Sequence, residues 1–501
     1  MRIKNSAPKE AAALILLDHK NTKVLWARRN PKLKFLGGFH GFPGGKVDNS
    51  DTETDVRNSN PEWSKFIACA VREVFEEVGV LLVRNGERLT KGQIVSLHDD
   101  LVSGRSTFAE ILKDWGLWID AEDFIYTGFW TTPEFSPIRF KTHFFAASCP
   151  KKQIPYPAIT ELQEIEFVEP ESARNQWANS NVLIAPPVLI ALRELLAAKD
   201  PYENSINVKE AAGRLKKRSE SVSGNIDHIE LNSRLICLPL KTETLPPATH
   251  TNCFIVGKKQ FVVIDAAARL EGEQKKLFSI IGQMIENGNS CKGIIVSHLH
   301  RDHYGAETAL KRYLREKHGL DVPISSHKPT AESLTGKVEI VTFIEDNASY
   351  ELEDENGEPF SLEVLHTPGH ARGHLCFYDR EFGFLLSSDN VVGLGTVVIA
   401  PPEGDMNEYF DSLERMKHLP NLNFLCGSHG MAVYDAKARI KEYIEHRKQR
   451  EISILEVVRQ GTDAPGEIVD IVYEGLSPKL LPLAEKSVEA HLAKLRLDGL
   501  I

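Results

Sequence analysis

Long apolar runs, paired cysteines and an excess of positive charge are all missing from this 501-residue chain. Its longest early apolar stretch, Ala11 to Leu17, is far below the roughly 20 residues a membrane helix needs. The polar start, Met1 to Glu10, lacks the layout of a signal peptide. The expectation is therefore a soluble, cytoplasmic protein with no membrane partner. Seven cysteines, Cys69, Cys149, Cys237, Cys253, Cys291, Cys376 and Cys426, are odd in number and scattered, and none forms a C-x-x-C pair. That usage fits buried thiols in a reducing compartment and assigns no metal to sulfur. A net charge of -10 excludes a globally basic nucleic-acid coat. There is no internal repeat and no low-complexity tract.

The length exceeds one hydrophobic core and predicts two to four domains. Residues 9 to 30 read as a β-hairpin, followed by a Gly-rich loop, Gly37 to Gly45. From Trp63 to Val78 the pattern is helical, with Phe66, Ala70, Val74 and Val78 on one stripe and Glu73, Glu76 and Glu77 on another face. Strands are expected at 124–129, 141–147 and 164–167, then a helix over 182–198. The polar stretch 200–225 reads as a linker. Beyond it, strands, loops and helices alternate to about residue 445, and three helical patterns end the chain, at 451–460, 466–472 and 483–497. From Arg447 on, eight Lys or Arg face nine Asp or Glu, which does not indicate strong DNA binding.

The chemistry concentrates at His298-Leu-His300-Arg301-Asp302-His303, where an apolar run, Gly293 to Ser297, ends. Three imidazoles and a carboxylate from one tight loop suit a borderline cation such as Zn²⁺. Later, His370 and His429 each follow a strand-like run at a glycine-containing turn, and Asp389 closes the run Phe384 to Ser388. Seven ligands exceed what one four-coordinate ion uses, so the arithmetic gives two ions, with Asp389 as the carboxylate shared between them. A hydroxide held between two cations is a nucleophile at neutral pH. His366, His374, Arg301 and Tyr304 flank the ligands as candidates to protonate the leaving group or to hold a ligand in place, with His374 favoured as the donor.

This spacing resembles the metallo-β-lactamase superfamily over about residues 226 to 445. Thr251 to Gly257 looks like that family's early strand and Asp265 like the aspartate closing the next one. The resemblance implies His298, His300 and His370 on a first ion, zinc or another divalent transition metal, and Asp302, His303 and His429 on a second, with Asp302 also catalytic. Two positions depart from the family's pattern: Ser388 stands where Gly is usual, and Gly427-Ser428 where Pro-Gly is usual. Asp389 argues against β-lactams and leaves an ester, a thioester or a phosphodiester as the bond cut. The run Thr367-Pro-Gly-His370-x-x-x-His374 and the tail Ser487 to Leu495 look like the lactamase-like endoribonuclease branch, which implies a small winged-helix-like end domain and admits single-stranded RNA as a substrate. The glyoxalase II kind of thioesterase shares the ligand pattern.

A second motif lies upstream. Arg72-Glu73-Val74-Phe75-Glu76-Glu77-Val78-Gly79-Val80 crowds three carboxylates into about one helical turn, a repulsion that bound cations would relieve. It resembles the core of the Nudix box, and Phe42-Pro-Gly-Gly45 its entry loop, over about residues 8 to 195. The resemblance implies Mg²⁺ or Mn²⁺ on Glu73, Glu76 and Glu77, Glu73 also catalytic, Arg72 orienting them, and hydrolysis of a nucleoside diphosphate derivative. The interval from Gly45 to Arg72 is longer than usual and holds Asp48 and Asp51. With Trp130 to Phe145, it is similar to the CoA diphosphatase branch, where Glu161 or Glu164 would be the distal base. The expected architecture is multidomain α/β and α+β: a Nudix α/β/α domain over 8–199, a linker over 200–225, a metallo-β-lactamase αββα sandwich over 226–446 and a winged-helix-like domain over 447–501. Two functional readings follow: a bifunctional hydrolase acting on nucleotide or CoA-type small molecules, or one hydrolase with a nucleotide-sensing Nudix module. Oligomeric state is left open.

Overall fold

The computed structural model describes residues 7–33, 35–157 and 161–501. The polar residues 1–6 of the expected start lie outside them. The chain divides into two compact units, Met1–Ile229 and Glu230–Ile501.

The first unit is built on an eight-stranded sheet whose central strand, Lys9–Leu17, runs parallel to Phe140–Ser148 and antiparallel to Val24–Arg29 and Gly44–Lys46. Helices cover both faces, so the central strand is apolar on both sides. Ala12, Leu14 and Leu16 face a core with Phe66, Ala70, Val74 and Val78 of helix Pro61–Val78. Ala13, Ile15 and Leu17 face a second core with Leu189 and Leu192 of helix Pro186–Ala197. Asn60 caps the first of these helices by accepting from Glu62 N at 3.1 Å, and Gly79, at φ 68°, ends it.

Two expectations need correction here. The helix read over 182–198 is a short strand, Leu183–Ile184, followed by the helix, because Pro186 and Pro187 fit only a helix's first turn. The stretch read as a linker holds helix Val208–Ser221, with Ala211, Ala212, Leu215 and Ser219 buried. Only three apolar residues of its 14, Ala211, Ala212 and Leu215, are buried. Charged residues fill the other faces, including the i,i+4 pair Arg214–Glu210, and composition therefore masks the packing face.

In the second unit, hydrogen bonds connect twelve strands. One half, with Leu238, Ile255, Val263 and Ile294, packs under helices Glu271–Glu286 and Glu307–His318. The other, with Cys376, Leu385 and Leu425, packs under Met406–Lys417 and Ala436–Arg459. All seven cysteines are buried free thiols. The boundary expected at 446/447 falls inside the 24-residue helix Ala436–Arg459, which serves two cores: Ile440 and Ile444 pack on the sheet, Ile454 and Val457 on the terminal helices Pro465–Val472 and Leu481–Leu497. The end segment is helical, as its periodicity indicates, with its own small core of Ile468, Val488, Leu492 and Leu495. Among the described residues no helix is long and apolar enough to cross a membrane.

Arg234, in the turn between strands Ile229–Asn232 and Leu235–Lys241, reaches the end of strand Leu375–Asp379. It is 4% exposed, its Nη1 reaches the fully buried Asp379 at 3.2 Å, and its guanidinium lies 4.3 Å and 3.8 Å from the rings of Phe360 and Phe382. Truncation strands the Asp379 carboxylate without its partner. Arg234→Ala should therefore cost about 3–5 kcal/mol in urea unfolding of the full chain. A loss below about 1 kcal/mol would show that the pair is not structural.

Candidate metal centre

The centre assembles where five strands end. Strand Gln260–Ile264 stops at Asp265, which takes a left-handed conformation, φ 56°, and turns its carboxylate under the next strand end. There it accepts from Ser297 N at 2.7 Å, Ser297 Oγ at 2.7 Å and His303 Nδ1 at 2.8 Å. This clamp fixes the loop after strand Ser290–Ile295 and folds Arg301–His303 into a single tight turn. His370 follows strand Pro359–His366, Asp389 follows Phe384–Ser388 and His429 follows Phe424–Gly427.

All seven sequence-selected residues are brought together, in overlapping sets whose ligand atoms lie within 4.8 Å: His298, His300 and His370; Asp302, His303 and His429; and His298, His303 and Asp389. His300 Nδ1 is 3.0 Å from His298 Nε2 and 2.9 Å from His370 Nε2. Two nitrogens on one tetrahedral zinc sit about 3.3 Å apart. Asp389 lies between the first two sets. One oxygen is 3.4 Å from His303 Nε2 and 3.7 Å from His370 Nε2, the other 3.4 Å from His429 Nε2. Asp302 reaches His429 Nε2 at 3.5 Å.

Outside this ring, acceptors fix the imidazoles. His370 Nδ1 donates to Val398 O at 2.9 Å, His429 Nδ1 to His250 O at 2.9 Å, and His303 Nδ1 to Asp265. Ser297 Oγ spends its proton on Asp265 and so accepts from His298 Nδ1 at 3.0 Å. The acceptors thereby direct each of these Nε2 atoms inward, the orientation in which an imidazole binds a metal. The residues fit a cation in one further respect: His303 Nε2 and Asp389 Oδ1 are buried and have no hydrogen-bond partner. Burial and neighbouring imidazoles push His298 well below the usual histidine range, and His370 down to about 3. Burial also pulls His303 down, but the carboxylates of Asp389, Asp302 and Asp265 outweigh it and raise its pKa. Burial would raise Asp389, yet His429 and His303 hold it well below the carboxylate range.

Both sequence departures have a structural explanation. Ser388 occupies φ 42°, a conformation that favours glycine, and its Oγ donates to Leu375 O at 3.0 Å. Asn252 Nδ2 donates to Gly427 O and Gly430 O, each at 2.9 Å, and so brackets the His429 turn without the usual proline.

His374 does not fit the donor role expected of it. It is fully buried, its Nε2 accepts from Asp389 N at 3.1 Å, and its Nδ1 donates to Thr367 Oγ1 at 3.0 Å. Both nitrogens are thus spent on holding the Asp389 turn. His366 stacks on His327 at 3.9 Å, with its Nε2 on Arg372 O, and Arg301 is exposed beside Glu243 at 3.3 Å. Asp302, by contrast, lines a cavity of about 530 Å³ that also takes in His300, His370, Asp389 and His429. Its remaining wall is mainly apolar, from Leu245 to Ala248, from Val392 to Ala400, and Leu483 of the last helix.

The Nudix-like glutamates are arranged differently. Arg72, 7% exposed, donates to Asp51 at 2.8 Å and 3.0 Å, to Glu73 at 2.8 Å and to Glu76 at 2.9 Å. Glu77 turns instead to Gly44 N at 2.8 Å. Among the described residues every group of three ligand atoms within 4.8 Å lies in the second unit, so Glu73, Glu76 and Glu77 do not converge as the histidine set does. Burial raises Glu73 to about 7 and pushes Glu77 up as well. Gly45 passes so close to Glu73 that a Cβ there would overlap its carboxylate. Sequence reasoning missed Asp51 as the principal partner of Arg72. Its signal was the capping box with Asp48, in which Asp48 N donates to Asp51 at 2.7 Å. Of the expected distal bases, Glu161 is exposed and Glu164 pairs with Arg28.

The Asp265 clamp yields a prediction. Asp265→Asn keeps the shape but weakens the acceptor of His303 Nδ1, and should lower zinc affinity about 10–100-fold in chelator competition. An affinity equal to the parent's would mean that Asp265 serves the loop alone.

Three family models match: the metallo-beta-lactamase superfamily over residues 246–429, the NUDT19 Nudix domain over 52–195, and the beta-lactamase associated winged helix domain over 464–501. Among curated relatives, a "Beta-lactamase-like protein 2 homolog" of Drosophila melanogaster is 28% identical over 255 residues, 50% of this chain and 83% of that protein. The "Lactamase-like protein adaB" of Aspergillus niger is 29% identical over 208 residues, 41% of this chain and 57% of the relative's length. A "Putative nudix hydrolase 7" of Caenorhabditis elegans is 28% identical over 197 residues, 39% of this chain and 63% of that one. These matches fall on separate stretches: the chain joins a Nudix domain, a metallo-β-lactamase-superfamily domain and an associated winged helix domain, and spans 57% of the length of the Aspergillus relative it matches.

Proposed function

We propose that the second unit is a dinuclear hydrolase of acyl thioesters or esters and the first a diphosphatase for nucleotide or CoA-type molecules. The observation that carries the first half is the partition of seven ligands into two three-residue sets with Asp389 between them. His298, His300 and His370 would hold one zinc, Asp302, His303 and His429 the other. Two bound cations supply Lewis acidity toward the scissile group and lower the pKa of water. The chain's own contribution is orientation: fixed Nε2 lone pairs, a shared carboxylate and a walled cavity. Asp302 and Asp389 both line that cavity; Asp302, which belongs to one ligand set and is not shared between two, is the residue assigned to proton movement during the reaction.

The cavity wall favours an acyl group over a polyanion. Its apolar surface is broken by Glu243 and Glu403 as well as by Arg301 and Lys486, so basic charge does not dominate it. β-Lactam hydrolysis is disfavoured by Asp389.

For the Nudix unit, Glu73, Glu76 and Glu77 are proposed to take up Mg²⁺ or Mn²⁺, with Arg72 and Asp51 positioning them. One observation favours a second reading, a module that binds a nucleotide without cleaving it: Arg72 already engages two of the three glutamates.

Two variants separate the activities. His303→Ala should lower thioester hydrolysis by about 100-fold, whereas Glu76→Gln with Glu77→Gln should abolish Mg²⁺-dependent diphosphate cleavage and spare the thioesterase. If the parent cleaves single-stranded RNA and no thioester or ester, the substrate assignment is wrong. If the double glutamate variant changes nucleotide affinity alone, the first unit is a sensor.

A further inference from the structure

The His300–Arg301 corner of the metal centre borders two cavities, and only the first has a role so far. The other, also about 530 Å³, is bounded by Arg269, Arg301, Tyr304 and Lys337. Its character is the reverse of the first: three cationic side chains face one carboxyl group, Glu307, which is 1% exposed.

Arg269 is built into place. Its guanidinium lies 4.8 Å from the Tyr304 ring and donates to Arg301 O at 3.2 Å and 3.4 Å. Gly305 makes this possible, since a Cβ there would come within 2.7 Å of Arg269 Cγ. Neither Arg269 nor Lys337 has a carboxylate at ion-pair distance among the described residues. In the lining, Glu307 Oε2 accepts from Gly305 N at 2.7 Å, while Oε1 is buried with no partner at all. An orphaned oxygen beneath unpaired cations marks a surface organised for a ligand. Burial raises Glu307 to about 8, which reduces the negative charge beneath the cations. Guanidinium and ammonium groups at the groove surface match phosphate oxygens.

We infer that this groove is a phosphate subsite for the leaving-group arm of a small-molecule substrate, with Arg269 and Lys337 holding the phosphate while the acyl group occupies the apolar cavity. The inference rests on the hydrolase reading above for the position of the scissile bond, but not for the existence of the subsite. RNA, which would place phosphates in both cavities, fits the apolar cavity less well.

The test uses the full, zinc-reconstituted chain. In Arg269→Met/Lys337→Met, kcat/KM for an acyl-CoA should fall at least about 10-fold more, mainly through KM, than for the same acyl group on N-acetylcysteamine, which has no phosphate. Equal losses on both substrates would overturn the subsite. Independently of turnover, CoA should protect Lys337 from reductive methylation, read by peptide mass spectrometry, and N-acetylcysteamine should not. Protection by CoA in a chain that hydrolyses no thioester supports the subsite and removes the hydrolytic reading instead. Absence of protection by CoA overturns the subsite, and protection by an oligoribonucleotide alone overturns its assignment to a small molecule.

Discussion

The constraint on which the second unit depends is the disposal of imidazole protons. Four buried histidines converge with their Nε2 atoms inward, which is possible only because each Nδ1–H has a fixed acceptor: Ser297, Asp265, Val398 and His250. Without those acceptors a buried ring would carry an unmet donor, at about 1–3 kcal/mol each, or rotate away from the cluster. The fold's strand ends therefore act as a rigid rack of acceptors. Asp265 is the most heavily used, and His374 extends the same logic by pinning the backbone of Asp389.

This explains why the ligand set survives two unfavourable backbone features. Ser388 adopts a left-handed conformation immediately before Asp389, and Asp265 does so at the end of its own strand. Each such residue is costly by itself, and each is over-determined by hydrogen bonds around it. Packing on both sides of the sheets pays that cost. The long helix Ala436–Arg459 contributes by joining the second unit's main core to the terminal helices, which in turn supply Leu483 and Lys486 to the cavity wall.

Much of this was legible in the sequence, for identifiable reasons. Metal ligands are few in kind and must recur at strand ends, so His298 to His303, His370, Asp389 and His429 stand out against their apolar runs. The central strand and helix Pro61–Val78 were visible through period and caps. What stayed hidden was tertiary. Helix Val208–Ser221 has a packing stripe too thin for composition to reveal, and the run from Ala436 to Arg459 carries no break to mark its change of partner. His374 matched a motif, but only the surrounding hydrogen bonds show that its nitrogens are occupied. Asp51 was seen as part of an insertion, and its distance in sequence from Arg72 concealed the contact.

Metal stoichiometry tests the central claim most directly. After removal of all metal and reconstitution with zinc in excess Mg²⁺, the chain should retain two zinc ions per molecule by elemental analysis, and Asp389→Asn should lose at least one. Retention of a single zinc by the parent chain under those conditions would contradict the two-cation account.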